Sequence, residues 1–367
     1  MGVPSRVVPP AAPRPQGGRA VGVKDVARAA GVSVGTVSNV LNRPGIVAEA
    51  TRERVLRVID ELGFVRNESA RALRTGSSRA VGLVVIDAAN PFFTDVARGV
   101  EDLVSELGGV VLLGNSAGDM ARERRYLELF EQQRVRGVII APSHDRPPPL
   151  NGLDRLGIPV VFLDHLPGSG SYSSVTVDDV RGGELAVEHL RDQGHRRIAF
   201  AAGPMTVPQV QDRLRGARRA VAASGPGVGG DAAAGLSVLE LDDLTTDTGR
   251  AAAGRLLGMP EDERPTAVFA GNDLVAIGLL QGVLQHGLRV PEDVAIVGYD
   301  DIEFAAAASV PLSSVRQPRH QLGRKSAELL MDHVAGAERG SPVAATAVRF
   351  TPELVVRRSS RRRPYDA

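Results

Sequence analysis

Ser33, Thr36, Ser38 and Asn39 carry short side chains that both donate and accept hydrogen bonds, and with Val34 and Gly35 they occupy one short stretch of chain. Side chains this small let a helix approach the floor of a DNA major groove, where base edges are read. Positioning them requires two helices across a tight turn. Ala27 suits a close helix crossing, and Gly31, four residues on, suits the positive φ of a sharp turn. Val26, Val32, Val37, Val40 and Leu41 supply an apolar face, and the Ser33 hydroxyl can cap a helix predicted over residues 34–41. The pattern is a helix-turn-helix. An ordinary helical hairpin accounts for the apolar positions but not for the sequence that follows.

A third helix is expected over residues 50–62, with Val55, Leu56, Ile59 and Leu62 as its apolar positions. Residues 68–74 (ESARALR) are too few for a stable isolated helix, so any helix there depends on DNA or a partner chain. The runs VKDVARAAGVSVGTVSNVLN and TRERVLRVIDELGFVRNESARALRTGSSRAVGLVV resemble the amino-terminal region of the LacI/GalR family of bacterial transcription regulators. That resemblance implies a DNA-binding set of Lys24, Ser33, Val34, Gly35, Thr36, Ser38, Asn39, Asn42, Asn67, Ala70, Leu73 and Arg74. Within it, Val34, Gly35 and Asn39 face base edges, whereas Thr36, Ser38 and Asn42 hold the phosphate backbone. Leu73, flanked by Ala70 and Arg74, matches the family's minor-groove wedge, whose unstacking cost is offset by bent, better-contacted DNA.

Charge divides the chain in the same way. Residues 1–79 hold 13 Arg or Lys against 6 Asp or Glu, a net of +7, which leaves −6 for the remainder. A basic head on an acidic body implies that only the head meets a polyanion. Cysteine is absent, which rules out disulfides and suits the cytoplasm. No apolar run is long enough to span a bilayer, so no membrane partner is expected. Residues 1–21, rich in Pro, Ala, Gly and Arg, are expected to form a disordered leader, and 361–367 a disordered tail.

From residue 80 short β-branched runs alternate with helix-length stretches, the pattern of parallel α/β layers. Strands are expected over 81–87, 110–115, 137–142, 160–164, 197–203, 238–242, 267–272 and 294–300. Asp87, Asn115, Asp164, Asn272 and Asp300 end several of them and can converge on one crevice, or each can cap its own turn. The stretches NPFF, IPVVFLD, QDRLRGA, FAGNDLVAIG, VGYDD, SSVRQP and LVVRRSS extend the family resemblance to the carboxyl end. It implies an N-terminal all-α helix-turn-helix domain (22–67), a hinge helix and linker (68–79), and an α/β core (80–360). The core has two Rossmann-like lobes, periplasmic-binding-protein-like, joined by three crossovers. Matching by position gives effector contacts at Phe92 or Phe93, Asp164, Arg213, Asn272 and Asp300, with Leu244 where the family is often aromatic. An Arg opposite Asp and Asn suits a polyhydroxylated ligand, and Leu244 argues against an aromatic sandwich, so a sugar or sugar derivative is favoured over a purine.

Two features are set aside. Gly225, Gly227 and Gly230 form GxGxxG, but after a helix candidate and around Pro226, where a dinucleotide site needs a preceding strand. His189 and His195 are expected at the surface, not as metal ligands. Neither cofactor nor metal is expected. The sequence reads as a repressor that binds a palindromic operator as a homodimer under the control of a small-molecule effector. A solute-binding protein with a non-exported N-terminal extension is the alternative, and it leaves residues 22–74 unexplained. An enzyme finds no nucleophile, base and orienting group.

Overall fold

The computed structural model describes residues 21–64, 78–168, 170–223 and 235–361. Asn67, Ala70, Leu73, Arg74, most of the predicted hinge, and Gly225, Gly227 and Gly230 lie outside them. The chain divides into two compact units, the first ending at Arg71.

The first unit holds α1 (Val23–Ala30), α2 (Val34–Asn42) and α3 (Glu49–Glu61). Gly31 ends α1 at φ 64°, and its N–H bonds back to the last turn. Ser33 caps α2 by accepting from the Thr36 N–H at 3.0 Å. Val26, Ala27, Ala30, Val37, Val40 and Val55 form the core. Leu56 and Leu62, expected on the apolar face of α3, are instead 47% and 37% exposed: this small core closes over one face of the helix, centred on Val55.

The second unit is two α/β lobes. In chain order the first lobe runs β1 (Ala80–Val85), α4 (Pro91–Glu106), β2 (Val110–Asn115), α5 (Met120–Gln132), β3 (Gly137–Ile140), α6 (Asn151–Arg155), β4 (Val160–Leu163) and β5 (Ser173–Val177). The chain crosses at Asp178 into α7 (Asp179–Asp192), β6 (Arg197–Ala202), α8 (Pro208–Ala223), β7 (Gly235–Glu240), α9 (Thr246–Leu257), β8 (Ala267–Ala270), α10 (Asp273–Gln285), β9 (Ala295–Asp300), α11 (Glu303–Ala307) and β10 (Ser313–Arg316). It returns through Gln317 and Pro318 to α12 (Arg319–Glu338) and β11 (Ala347–Phe350). It then crosses again at Thr351 and Pro352 to β12 (Glu353–Val355). The sheets run β11-β5-β4-β3-β1-β2 and β12-β10-β9-β8-β6-β7, which gives the three crossovers expected. Among the described residues every strand pairing is parallel except that of β10 with β12.

Continuous apolar runs such as AVGLVV in β1 are buried on both faces, as a parallel sheet between helix layers demands. The sequence does not announce β5, β10, β11 and β12, and of these β5 and β10 begin with serine pairs. Ser313 and Ser314 are buried because their polar groups are paired: the Ser313 N–H donates to Ser359 Oγ at 2.8 Å and Ser314 Oγ donates to Asp273 at 2.7 Å. The histidines also depart from expectation. His195 is 3% exposed with Nδ1 3.0 Å from Thr266 Oγ1, and half-buried His189 holds Ser360 Oγ at 2.7 Å. Both fasten helix α7 and its exit to neighbouring chain.

Three helix pairs touch backbone to backbone through reciprocal glycines. A Cβ on Gly99 of α4 would lie 2.1 Å from the His320 carbonyl oxygen, and one on Gly323 of α12 would lie 1.9 Å from that of Val96. The same exchange joins α7 to α8 (Gly183 with Arg213, Gly216 with Val180) and α9 to α10 (Gly249 with Val275, Gly278 with Thr246). Helix α9 offers a built-in control, because a Cβ at Gly254 meets nothing within 4 Å. Gly249→Ala should lower unfolding stability by about 1–3 kcal/mol through overpacking. Gly254→Ala should leave it unchanged or raise it by up to about 1 kcal/mol through helix propensity. Urea melts of the two variants check the pair, and equal effects would contradict the close contact.

Candidate functional site

In the first unit, α2 turns Val34, Gly35 and Asn39 outward together with Ser33, while Thr36 and Ser38 are half-exposed. Val34 is 42% exposed. Asn42 Nδ2 donates to the Ser38 carbonyl at 2.8 Å, which ties the end of α2 to its own preceding turn. Lys24 is exposed on α1. The set expected to meet DNA is thus laid out on one short helix and its approaches, as far as the described residues extend.

In the second unit the carboxyl ends of the strands meet between the lobes. Arg213, on α8, is 5% exposed. Its Nε donates to Asp179 Oδ1 at 2.8 Å, a second guanidinium nitrogen donates to the Gly271 carbonyl at 2.7 Å, and the group lies 3.7 Å over the Tyr299 ring. Asp164 at the end of β4 and Asp300 at the end of β9 are also buried, at φ 53° and 104°. Left-handed backbone at two non-glycine residues costs ~1–3 kcal/mol each and needs support. At Asp300 the support is Gln317 Nε2, 2.8 Å from Oδ1, and Arg319, whose guanidinium donates to the Asp300 carbonyl at 2.6 Å and to that of Asp301. Arg319 is itself held by Asp95 at 2.9 Å.

The charges do not cancel locally. Asp179 takes up Arg213, and no cation among the described residues pairs directly with Asp164 or Asp300. Burial, reinforced by Asp179, pushes the Asp164 carboxyl up to about 8 despite the opposing pull of Arg213. Burial likewise raises Asp300 to about 6, against Arg213 and Gln317. The oxygens Gln209 Oε1 and Gln317 Oε1 are buried without a partner. Two amide oxygens near Arg213 therefore lack donors.

Asp164, Arg213 and Asp300 come together as expected; the side chains of the other candidates are engaged by partners of their own. Asn272 caps α10 through the Val275 N–H at 2.9 Å and spends its amide on the Leu244 carbonyl at 3.1 Å. Asp87 accepts from the Ala89 N–H at 2.9 Å and serves its own turn, while Asn115 accepts from the Ala117 N–H at 3.2 Å and from the Ala88 N–H of the neighbouring turn at 3.4 Å. Phe92 and Phe93 are packed edge to face at 4.9 Å inside the first-lobe core, not laid open as a covering ring. Leu244 is half-buried between the two clusters of the second lobe. The sequence reading missed Asp179, Gln209, Tyr299 and Gln317. Asp179 and Gln317 stand at crossovers, and the repeated switch of lobe is the signal that marks them.

A family model described as bacterial regulatory proteins, lacI family, matches residues 22–67, and one described as periplasmic binding protein-like domain matches 187–360. The HTH-type transcriptional repressor PurR of Vibrio campbellii is 36% identical over 336 residues, which cover 91% of this chain and 97% of that protein. The chain belongs to the LacI family of bacterial regulatory proteins. As a LacI-family member it is a DNA-binding transcriptional repressor and not an enzyme. Solved structures agree. A complex of the regulator CelR with cellobiose is 35% identical, with a TM-score of 0.65 and coverage of 92% of this chain and 99% of that one. The lac repressor dimer bound to operator and the anti-inducer ONPF is 26% identical, with a TM-score of 0.73 and coverage of 93% and 99%. No helix among the described residues of this LacI-family chain is long and apolar enough to cross a membrane.

The raised Asp164 value carries a stability consequence. A carboxyl protonated more readily in the folded state than in the unfolded one stabilises below the unfolded value, about 3.9, and that contribution is lost as pH rises through the folded value. For Asp164 the window runs from about 4 to about 8. The melting temperature of Asp164→Asn minus that of the parent should therefore climb across this window and level off above it. A difference independent of pH would mean that the carboxyl is not desolvated.

Proposed function

We propose that this LacI-family repressor works in the cytoplasm as a homodimer that binds a roughly palindromic operator and answers to a sugar or sugar derivative held between its lobes. Two protomers present two α2 helices to half-sites of opposite orientation, with the paired 68–74 segments at the operator centre. The observation that carries the effector reading is the convergence of Asp164, Arg213 and Asp300, from both lobes, around buried oxygens that lack donors. A polyol supplies many hydroxyl donors to such a lining. Differential affinity of that ligand for one arrangement of the lobes is what shifts DNA affinity.

A purine is the second reading. It is favoured by the PurR relatives, and opposed by the packing of Phe92 and Phe93 inside the core and by the aliphatic Leu244. A thermal-shift series on the full chain with neutral sugars, sugar phosphates and oxopurines separates the two, since a ligand of the folded state raises its melting temperature. Stabilisation by a neutral sugar, lost in Arg213→Ala, is expected; stabilisation confined to oxopurines would replace the sugar reading with the purine one.

On DNA, Asn39→Ala should relax base preference at one position of each half-site, at a cost of about 1–3 kcal/mol in discrimination. Thr36→Ala should weaken binding evenly across sequences. Leu73→Ala should lose specific operator binding and keep effector binding. Operator selection followed by binding curves at several salt concentrations reads all three, and an unaltered selected site in Asn39→Ala would remove that residue from base readout.

A further inference from the structure

The acidic total of the body conceals a local exception. The first-lobe strands β1, β2, β3 and β4 run parallel, so all four begin at the edge of the sheet opposite the cleft. Arginines collect along that edge. Arg79 immediately precedes β1, and the chain around it lies against the loop that leads into β3: the Ser78 N–H donates to the Arg134 carbonyl at 3.2 Å and the Arg136 N–H to the Ala80 carbonyl at 2.7 Å. Arg136 pairs with Glu338 at 3.1 Å, which brings in Arg339 at the end of α12, and Arg155 of α6 lies 4.0 Å from Glu131. Arg134 and Arg136 line one depression of about 290 Å³ together with Gly157 and Glu338. Arg79, Arg134 and Arg339 are exposed, and none of the three has an ion-pair partner among the described residues.

Arg134 shows that these charges are not there for the fold. Its backbone has φ 48°, the left-handed position after a helix where glycine is free of strain. The other helices that end at this edge do use glycine: Gly108 after α4 has φ 70°, Gly157 after α6 has φ 65° and Gly340 after α12 has φ 67°. The Arg134 guanidinium makes no hydrogen bond among the described residues, so it does not serve the helix carbonyls that end beside it. A cation held at a strained position without an internal partner is directed at something outside the chain.

Chain length limits how far this edge can lie from DNA. Leu73 precedes Ser78 by five residues, which span at most roughly 18 Å. With Leu73 in the minor groove, the edge at Ser78 is held within about two Debye lengths of the duplex at 0.1 M salt. We propose that the arginine edge of the first lobe is a second DNA-contact surface, which attracts the phosphate backbone on either side of the operator centre. The inference rests on the reading of 68–74 as the segment that reaches that centre. Contacts of this kind add affinity and carry no base sequence.

The test is the salt dependence of binding by the full chain to a duplex selected from random DNA with the parent protein. Each phosphate neutralised adds about 0.9 to the slope of log K against log salt. Arg79→Gln, Arg134→Gln and Arg339→Gln combined should make that slope shallower by at least about 1, while the selected sequence and the melting temperature stay those of the parent. Arg196→Gln, Arg218→Gln and Arg358→Gln combined, all exposed in the second lobe, change the net charge equally and should leave the slope unchanged. A parental slope in the first triple variant overturns the proposal, as does an equal loss in both, because the total charge would then be what the DNA feels. Arg134→Gly alone separates a phosphate contact from a structural cap. It should raise the melting temperature and make the slope shallower; a lower melting temperature with the parental slope assigns this arginine to the fold and overturns its part in the surface. Leu73→Ala keeps the two readings apart: its loss of specific binding beside a parental slope in the arginine variants refutes the surface and leaves the wedge, and unaltered specific binding in Leu73→Ala refutes the wedge on which the distance argument rests.

Discussion

A guanidinium in a protein interior must have its charge met by fixed partners, and the second lobe is arranged to do this for Arg213. Asp179 comes from the start of α7, the Gly271 carbonyl from the end of β8 and the Tyr299 ring from β9, while Arg213 itself rides on α8. Four elements are thereby placed relative to one another by a single side chain. Removing one member of such a buried pair costs ~3–5 kcal/mol, because the other is left uncompensated. The double glycine after Arg181 follows from the same requirement. A Cβ on Gly182 would lie 2.1 Å from the Tyr299 hydroxyl oxygen, and one on Gly183 would lie 2.0 Å from the Arg213 carbonyl oxygen. Neighbouring glycines make room for the ring beneath the guanidinium and for the helix that carries it.

The same arrangement explains what could be read from the chain alone. The helix-turn-helix was legible because its determinants are local: Ala27, Gly31 and Ser33 act within a few residues of one another. Strands made of apolar runs were legible for the same reason. Strands β5 and β10 were not, because their serines are buried by bonds to residues far along the chain, such as Ser359 and Asp273. At the site, Asp164, Arg213 and Asp300 followed from family pattern. Asp179, Gln209 and Gln317 depend on pairings 34, 45 and 17 residues away, which no local spacing encodes. Asp87, Asn115 and Asn272 all accept from a backbone N–H of the turn that follows, the nearest donor to a carboxylate or amide at a strand end.

Hinge and cleft are built from shared residues. Asp178 begins the first crossover and caps α7, and its neighbour Asp179 is the partner of Arg213. Gln317, within the second crossover, holds the Asp300 carboxylate, and Arg319 at its exit holds the carbonyls of the same turn. On the proposed reading of the cleft, a ligand group that moves Asp300 or Arg213 would pull directly on the segments that join the lobes. The proposed recognition residues and the crossover segments are one bonded network.

The reciprocal glycines set the mechanical character of what turns. Helices locked at backbone contact cannot slide along one another without their carbonyl oxygens colliding with the opposing Cα atoms, so the usual soft mode of a layered α/β protein, shear between neighbouring helices, is closed off in both lobes. Bending is left to the three short links between sheets. Each lobe then behaves as the arm of a lever: a displacement of a fraction of an ångström near the fulcrum is magnified in proportion to distance from it, instead of being absorbed on the way as strain.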